Sequence, residues 1–417
     1  MSRYVLPDPA LLERGGTALV SSSCCPRWDA PVPPGKLSPV YLGDVLPYVD
    51  GGPLDFAVGL GADGQPVHVD LAELGSLLVT GTMGSGKTTM LNAIVTSFLM
   101  RSTPDDVRLI LVDPFQDVFG DYSGIPHLVM PVANGHRRGA KALEWCVAEM
   151  DRRCRVFSDL DVGDLKGYND RVDRAALVGE ALPFGHLPSI VVVVDYFDAL
   201  MIGFRRSVGA SVLRVAQRGR AAGVHLVLAT RSLSDDSVTG PIRVNIASKV
   251  IFRVSEGVDS RIAIGRLGAE KLLGFGDMLF VQAAWGVEPR RIQGCYQSDE
   301  EAWAVAEHWR RQTGLCQEVG MSPLGELATS YEALDNDEEV AWQAAQLIVR
   351  EQKSTVRYMQ YIQSCFGLGP FRMKRVMDML EKMGIVGPAR GGLPRNIMVH
   401  DLGELAAIRD ALSSGEK

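Results

Sequence analysis

Ser76-Leu77-Leu78-Val79-Thr80-Gly81-Thr82-Met83-Gly84-Ser85-Gly86-Lys87-Thr88-Thr89 decides the fold of this chain. A short strand-forming run enters a glycine-rich turn, and the turn opens a helical pattern from Lys87 to Leu99. In that context Gly81-x-x-x-x-Gly86-Lys87-Thr88 is a P-loop. Its glycines let backbone N–H groups converge on a phosphate, and the positive end of the helix adds to the attraction. Lys87 is placed to reach the β- and γ-phosphates and Thr88 to hold Mg²⁺, with Thr89 completing the cradle. ATP with Mg²⁺ is the expected cofactor.

The pattern downstream repeats the same alternation of short β-branched runs and longer amphipathic stretches, which predicts an α/β domain with a mainly parallel sheet. Strands are expected at Ser76–Thr80, Val107–Val112, Ser189–Val194, Val224–Ala229 and Lys249–Val254, with helices at Lys87–Leu99, Gly139–Phe157 and Val208–Arg220. Gly274-Phe275-Gly276-Asp277 reads as a turn into a strand at Met278–Val281, paired with Arg290–Gln293. Upstream, Phe56–Leu60 and Gln65–Leu71 flank a hairpin turn. The apolar run Val191–Val194 ends in Asp195, the expected second metal-side group beside Thr88. Val224–Ala229 leads to Thr230-Arg231, where Arg231 either senses the γ-phosphate or forms an ion pair.

Of the 417 residues, 46% are hydrophobic and 22% charged, the balance of a folded globular protein. Its longest apolar runs are far short of the ~20 residues of a membrane-spanning helix, and residues 1–53, rich in Pro, Gly and Ser, open without a signal-like apolar run. A cytoplasmic protein without membrane contact is expected. Seven scattered cysteines show neither a disulfide framework nor zinc spacing. A net charge of −7 requires any nucleic-acid contact to come from a local patch. Such a patch exists: Lys353–His400 holds eight Lys or Arg against two Asp or Glu, whereas Gln317–Val340 holds seven acidic residues and no basic one. Helical patterns at Val340–Arg350, Val356–Cys365 and Phe371–Met383, a turn at Gly391-Gly392 and the apolar Ile397–Val399 predict a winged helix. Arg372, Lys374 and Arg375 would face the major groove of double-stranded DNA, and Arg390 and Arg395 its phosphates.

These stretches resemble the FtsK/SpoIIIE family of DNA translocases between about Val67 and His400. The likeness is carried by Leu77–Lys87, Gly124-Ile125-Pro126-His127-Leu128, Leu143–Met150, Arg220–Thr230 and Gly274–Leu279, and at the C-terminus by Met383–Pro388. It implies a RecA-like P-loop motor in a hexameric homo-oligomeric ring threading duplex DNA, with the C-terminal winged helix reading an orienting sequence. The expected divisions are a leading arm (1–53), the motor (54–316), an acidic linker (317–339), the winged helix (340–402) and a tail (403–417). The family's membrane-anchoring domain has no counterpart in this sequence.

Departures from the family pattern cluster near the γ-phosphate. Tyr196 stands where the family carries Glu, Phe115 where it tends to have Lys, and Arg231 where it tends to have Gln. A phenol, with a pKa of about 10, is a poor base at neutral pH, so Asp198 is the substitute candidate. Arg261, in Asp259-Ser260-Arg261, resembles the family's arginine supplied from a neighbouring subunit; a salt bridge with Asp259 or Glu256 is the alternative. Two other readings stand beside a DNA translocase: a protein-translocation ATPase of the type VII secretion class, and a nucleotide-binding scaffold impaired in hydrolysis.

Overall fold

The computed structural model describes residues 4–15, 39–177, 182, 184–234, 237–282, 288–312, 341–342, 344–345, 349, 370–388, 397–399, 403–405 and 408. Two compact units emerge, one of Met1–Asn134 with Gly139–Glu318 and the other of Gly135–Arg138 with Val319–Lys417.

The first unit is built on an eleven-stranded sheet. Its strands are β1 (Val40–Tyr41), β2 (Asp55–Gly61), β3 (Pro66–Asp70), β4 (Ser76–Thr80), β5 (Val107–Asp113), β6 (Ala133–Asn134), β7 (Ser189–Val194), β8 (Val224–Thr230), β9 (Ser248–Phe252), β10 (Asp277–Val281) and β11 (Arg290–Tyr296). The order is β3-β2-β11-β10-β9-β4-β8-β7-β5-β6, with β1 parallel to β11. From β9 to β6 all neighbours run parallel; the remaining half, β10, β11, β2 and β3, is antiparallel. The Val- and Ile-rich β7 and the wholly buried β8 explain the parallel half, because strands covered on both faces need apolar side chains throughout.

The P-loop helix Lys87–Arg101 is buried along most of its length. Asp299–Arg310 packs on it, started by a capping box between Ser298 and Glu301. Its fully buried Trp309 donates from Nε1 to the Leu99 carbonyl at 2.9 Å. Leu12, Val40, Leu42, Val45 and Val49 from the leading stretch belong to the same core.

Expected and observed elements differ at several places. β9 stops at Phe252 rather than Val254, because the next carbonyl, of Arg253, accepts from the Thr82 N–H at 2.8 Å. The helix expected at Val208–Arg220 runs over Phe197–Ala222, with non-helical backbone at Phe204 joining two helical stretches. Leu165–Leu177 and Gly257–Ile264 are helices that were not expected. The first has its own small core of Phe157, Tyr168 and Leu187.

The second unit has the core of a winged helix. Helix Pro370–Lys382 contributes Val376, Met377 and Leu380, which pack with Ala341, Trp342, Ile385, Val386 and Val399. Gly384, at φ +71°, turns the chain out of the helix. Val386 then bridges antiparallel to Ile397, and Met398 N–H donates to the Ile385 carbonyl at 3.0 Å. The expected helix Val356–Cys365, the Gly391-Gly392 turn and residues 317–339 lie outside the described residues. Among the described residues no helix is long and apolar enough to cross a membrane.

Candidate nucleotide site

The carboxyl ends of adjacent parallel strands build one cleft, the place where open α/β sheets hold ligands. β8 lies between β4 and β7, with Thr80 opposite Thr230 and Val194 opposite Leu228. That order brings the P-loop after β4, Arg231 after β8 and Asp195 after β7 to one rim, and all three line a cleft of about 530 Å³.

The loop's glycines are required where the chain turns back. Gly81 (φ +152°) lies against Phe252, where a Cβ would sit 2.7 Å from that residue's Cβ; Gly86 (φ +119°) faces the Gly276 backbone at 3.0 Å. Ser85 Oγ donates to the Thr82 carbonyl at 2.7 Å, and the Ser85 carbonyl accepts from Gly276 N–H. Lys87 is buried and donates to the carbonyls of Gly81 (2.7 Å) and Thr82 (2.8 Å). Burial pushes its pKa down while the Asp195 and Asp198 charges oppose the shift. Thr88 is exposed in the cleft.

Asp195 is buried, and burial raises its pKa to about 6. Its Oδ1 accepts from the Tyr196 N–H at 2.8 Å, whereas Oδ2 is buried without a hydrogen-bond partner among the described residues. A buried carboxylate oxygen left unsatisfied is unfavourable unless something else binds it. Its place in the Thr88 cleft suits a divalent cation, so the donor set fits Mg²⁺ with a polyphosphate.

Tyr196 adopts a left-handed conformation (φ +48°, ψ +47°) at the start of helix Phe197–Ala222. Its hydroxyl donates to Asp117 Oδ2 at 3.3 Å, and Phe115 stands edge-on to its ring at 4.8 Å. The Arg231 guanidinium lies 5.9 Å from the ring centre. Desolvation and then the Asp117 charge push the phenol up to about 12, and desolvation also raises the Asp117 carboxyl. Arg231 is also ion-paired: Nε and a terminal nitrogen both lie 2.8 Å from Asp198 Oδ2. Asp198 does not line the cleft.

Lys87, Thr88, Asp195 and Arg231 are therefore brought together, and Asp198 joins them through Arg231. Arg261 stands apart, exposed on helix Gly257–Ile264, with no ion pair to Asp259 or Glu256. Arg372, Lys374 and Arg375 share helix Pro370–Lys382, where Arg375 is exposed; Arg390 and Arg395 lie outside the described residues. Sequence reasoning did not single out Asp117, Phe275, Gln293 or Tyr296 as site residues. Phe275 carries a legible signal, an apolar residue between two glycines; Gln293 carries none.

The chain is similar to known proteins over most of its length. The FtsK/SpoIIIE family model matches residues 48–235 and the Ftsk gamma domain model residues 335–400. DNA translocase FtsK of Oceanobacillus iheyensis is 38% identical over 344 residues, covering 82% of this chain and 43% of that protein. DNA translocase SpoIIIE of Bacillus subtilis is 37% identical over 372 residues, 88% of this chain and 46% of that protein. The chain thus spans less than half the length of these relatives. Among solved structures, the cytoplasmic domain of the Thermomonospora curvata Type VII Secretion ATPase EccC superposes with a TM-score of 0.55 at 20% identity, over 66% of this chain and 34% of that one. The monomer form of the pCW3 conjugation coupling protein TcpA with ATPgS gives 0.54 at 19%, over 64% and 72%. These two likenesses concern the fold alone.

Proposed function

The chain belongs to the FtsK/SpoIIIE family, and on that footing we propose that it is an ATP-driven motor subunit that translocates along double-stranded DNA. The observation that carries the reading is the cleft in which Lys87, Thr88 and the unpartnered Asp195 Oδ2 converge. Lys87 offsets phosphate charge, while Thr88 and Asp195 hold Mg²⁺. Arg231 meets the terminal phosphate from β8. The exposed Arg261 is free to enter a neighbour's site, which suits a homo-hexameric ring. The motor occupies 54–316, and the acidic stretch 317–339 links it to the winged helix at 340–402, whose Arg372, Lys374, Arg375, Arg390 and Arg395 contact DNA. The basic C-terminal segment favours DNA over a polypeptide cargo. A cytoplasmic location accords with both substrates.

Tyr196 favours a second reading, a subunit that binds ATP without hydrolysing it, because the place of the family's Glu holds a phenol pushed up to about 12. One experiment separates the two. ATP turnover is measured with and without long duplex DNA, with Lys87→Ala as the blank. Duplex-stimulated turnover that disappears in Lys87→Ala is expected; nucleotide binding with no turnover in either condition selects the second reading.

A further inference from the structure

The hairpin at the antiparallel end of the sheet gathers charge of its own. β3 is the outermost strand there and pairs with β2. In their register Asp55 stands directly opposite Asp70, and Ala57 opposite His68. Opposed residues, and residues two apart along a strand, share one face of a sheet, so Asp55, Asp70 and His68 lie on the same face. Like charges directly opposite each other destabilise a strand pair. Asp50, in the loop that leads to β2, brings a third carboxylate to the place.

His68 Nδ1 donates to Asp55 Oδ2 at 2.9 Å, and its Nε2 lies 3.8 Å from Asp50 Oδ1. The Gly51 N–H also donates to Asp55 Oδ2, at 2.8 Å. Asp55 is only 2% exposed, yet its Oδ1 is buried with no hydrogen-bond partner among the described residues. A buried carboxylate oxygen in that state is unfavourable unless a cation binds it. Arg101, the last residue of the P-loop helix, does not fill the need. Its hydrogen bonds among the described residues go to the carbonyls of Gly51 (3.0 Å), Gly52 (3.2 Å) and Asp55 (2.8 Å). Those bonds instead fasten the loop to the end of the helix. Asp50, Asp55 and His68 each offer one ligand atom, and these atoms lie within 4.8 Å of one another. An ion holds such atoms at about 2.0–2.2 Å, so the donors must draw inward; Asp50, its side chain 89% exposed, has room to do so.

We propose that Asp50, Asp55 and His68 bind a divalent transition-metal ion of the Zn²⁺ class. One imidazole nitrogen with two carboxylate oxygens suits Zn²⁺, whereas Mg²⁺ prefers an octahedral shell of oxygens. The ion supplies the positive charge that three carboxylates around one imidazole lack. Through the loop that Arg101 fastens, it also braces the hairpin against the far end of the helix that begins at Lys87. The site is separate from the nucleotide cleft and does not rest on the reading of that cleft.

Calorimetric titration of the whole protein with Zn²⁺, in excess Mg²⁺ and without nucleotide, tests the site. One ion per chain is expected, with a dissociation constant on the order of 1 μM. His68→Ala and Asp50→Asn, both at positions that are not fully buried and so do not endanger folding, should each weaken Zn²⁺ about a hundred-fold. Asp195→Asn should leave it unchanged. With Zn²⁺ at about a hundred times its dissociation constant, the thermal midpoint of the parent protein should rise by roughly 5 °C, and that of His68→Ala should not. Absence of saturable binding would overturn the proposal and leave only a proton between His68 and the carboxylates. An affinity unaltered in either His68→Ala or Asp50→Asn, or lost in Asp195→Asn, would overturn it equally, since the ion would then sit elsewhere.

Discussion

In the proposed motor, turnover hangs on Tyr196. It follows the metal-side Asp195 directly, and its hydroxyl is engaged with Asp117. Asp198, the carboxylate that sequence reasoning offered in its place, has one oxygen held by Arg231 at 2.8 Å. Asp198 does not line the cleft, so it is better understood as the anchor that positions Arg231. If so, the two act as one unit. Asp198→Ala and Arg231→Ala should each lower duplex-stimulated kcat by a similar factor, and the double variant by no more than either alone; independent, multiplying losses would separate them. Tyr196→Glu, which places a carboxylate at that position, should raise kcat by ten-fold or more, given that a positioned base is worth about 10²–10⁴ in rate. An unchanged or lower kcat would show that Tyr196 does not limit hydrolysis.

Among the elements, helix Phe197–Ala222 ties the site to the sheet. It begins at Tyr196 and returns to β8 through Gly223 at φ +68°. Gly219 makes this close return possible: a Cβ there would run into the Val224 carbonyl and stand 2.9 Å from Val215 Cγ1. Alanine normally favours a helix interior by about 1 kcal/mol over glycine. Here the clash is with backbone, which has no rotamer to yield, so Gly219→Ala should destabilise the protein by about 2 kcal/mol and lower the thermal midpoint. A midpoint equal to or above that of the parent protein would show that the helix shifts freely. Arg153 holds the same junction from the other side. Fully buried, it pairs with Glu149 at 2.8 Å and donates to the carbonyls of Pro188 (2.9 Å) and Ala222 (3.0 Å).

For the first unit as a whole, buried histidines set the response to acid. Burial lowers the pKa of His127 to about 3 and of His225 to about 4, from 6.5. Below pH 6.5 the unfolded chain takes up protons at these positions while the folded protein stays neutral. Their stabilisation is therefore complete above pH 6.5 and is lost as pH falls toward 4, by about 1.4 kcal/mol per pH unit for each histidine. Asp195 acts in the opposite sense between about 6 and 3.8, because its folded pKa is raised. Two histidines outweigh one aspartate. Between pH 7 and 5 the net loss is about 3 kcal/mol, which should lower the thermal midpoint by ~6 °C. His225→Asn, which keeps a donor for the Gly75 carbonyl but does not titrate, should flatten that slope; a slope unchanged by the substitution would exclude His225 as a source.

Local signals sufficed for five of the six strands of the parallel half of the sheet, all but the two-residue β6, and for the P-loop and the place of Asp195, because each is written in contiguous residues: an apolar run, then a turn or an acid at its end. The basic helix Pro370–Lys382 and the turn at Gly384 were legible for the same reason. What the sequence left open were relations between distant segments. Whether Arg231 is paired depends on Asp198, 33 residues away; whether Tyr196 donates depends on Asp117, 79 residues away; and the Phe275–Gln293 wall exists only because β10 and β11 are brought onto the edge beside β9. Those contacts follow from strand order. No local propensity encodes strand order, since it is decided by which buried faces can be covered together once the chain has closed on itself.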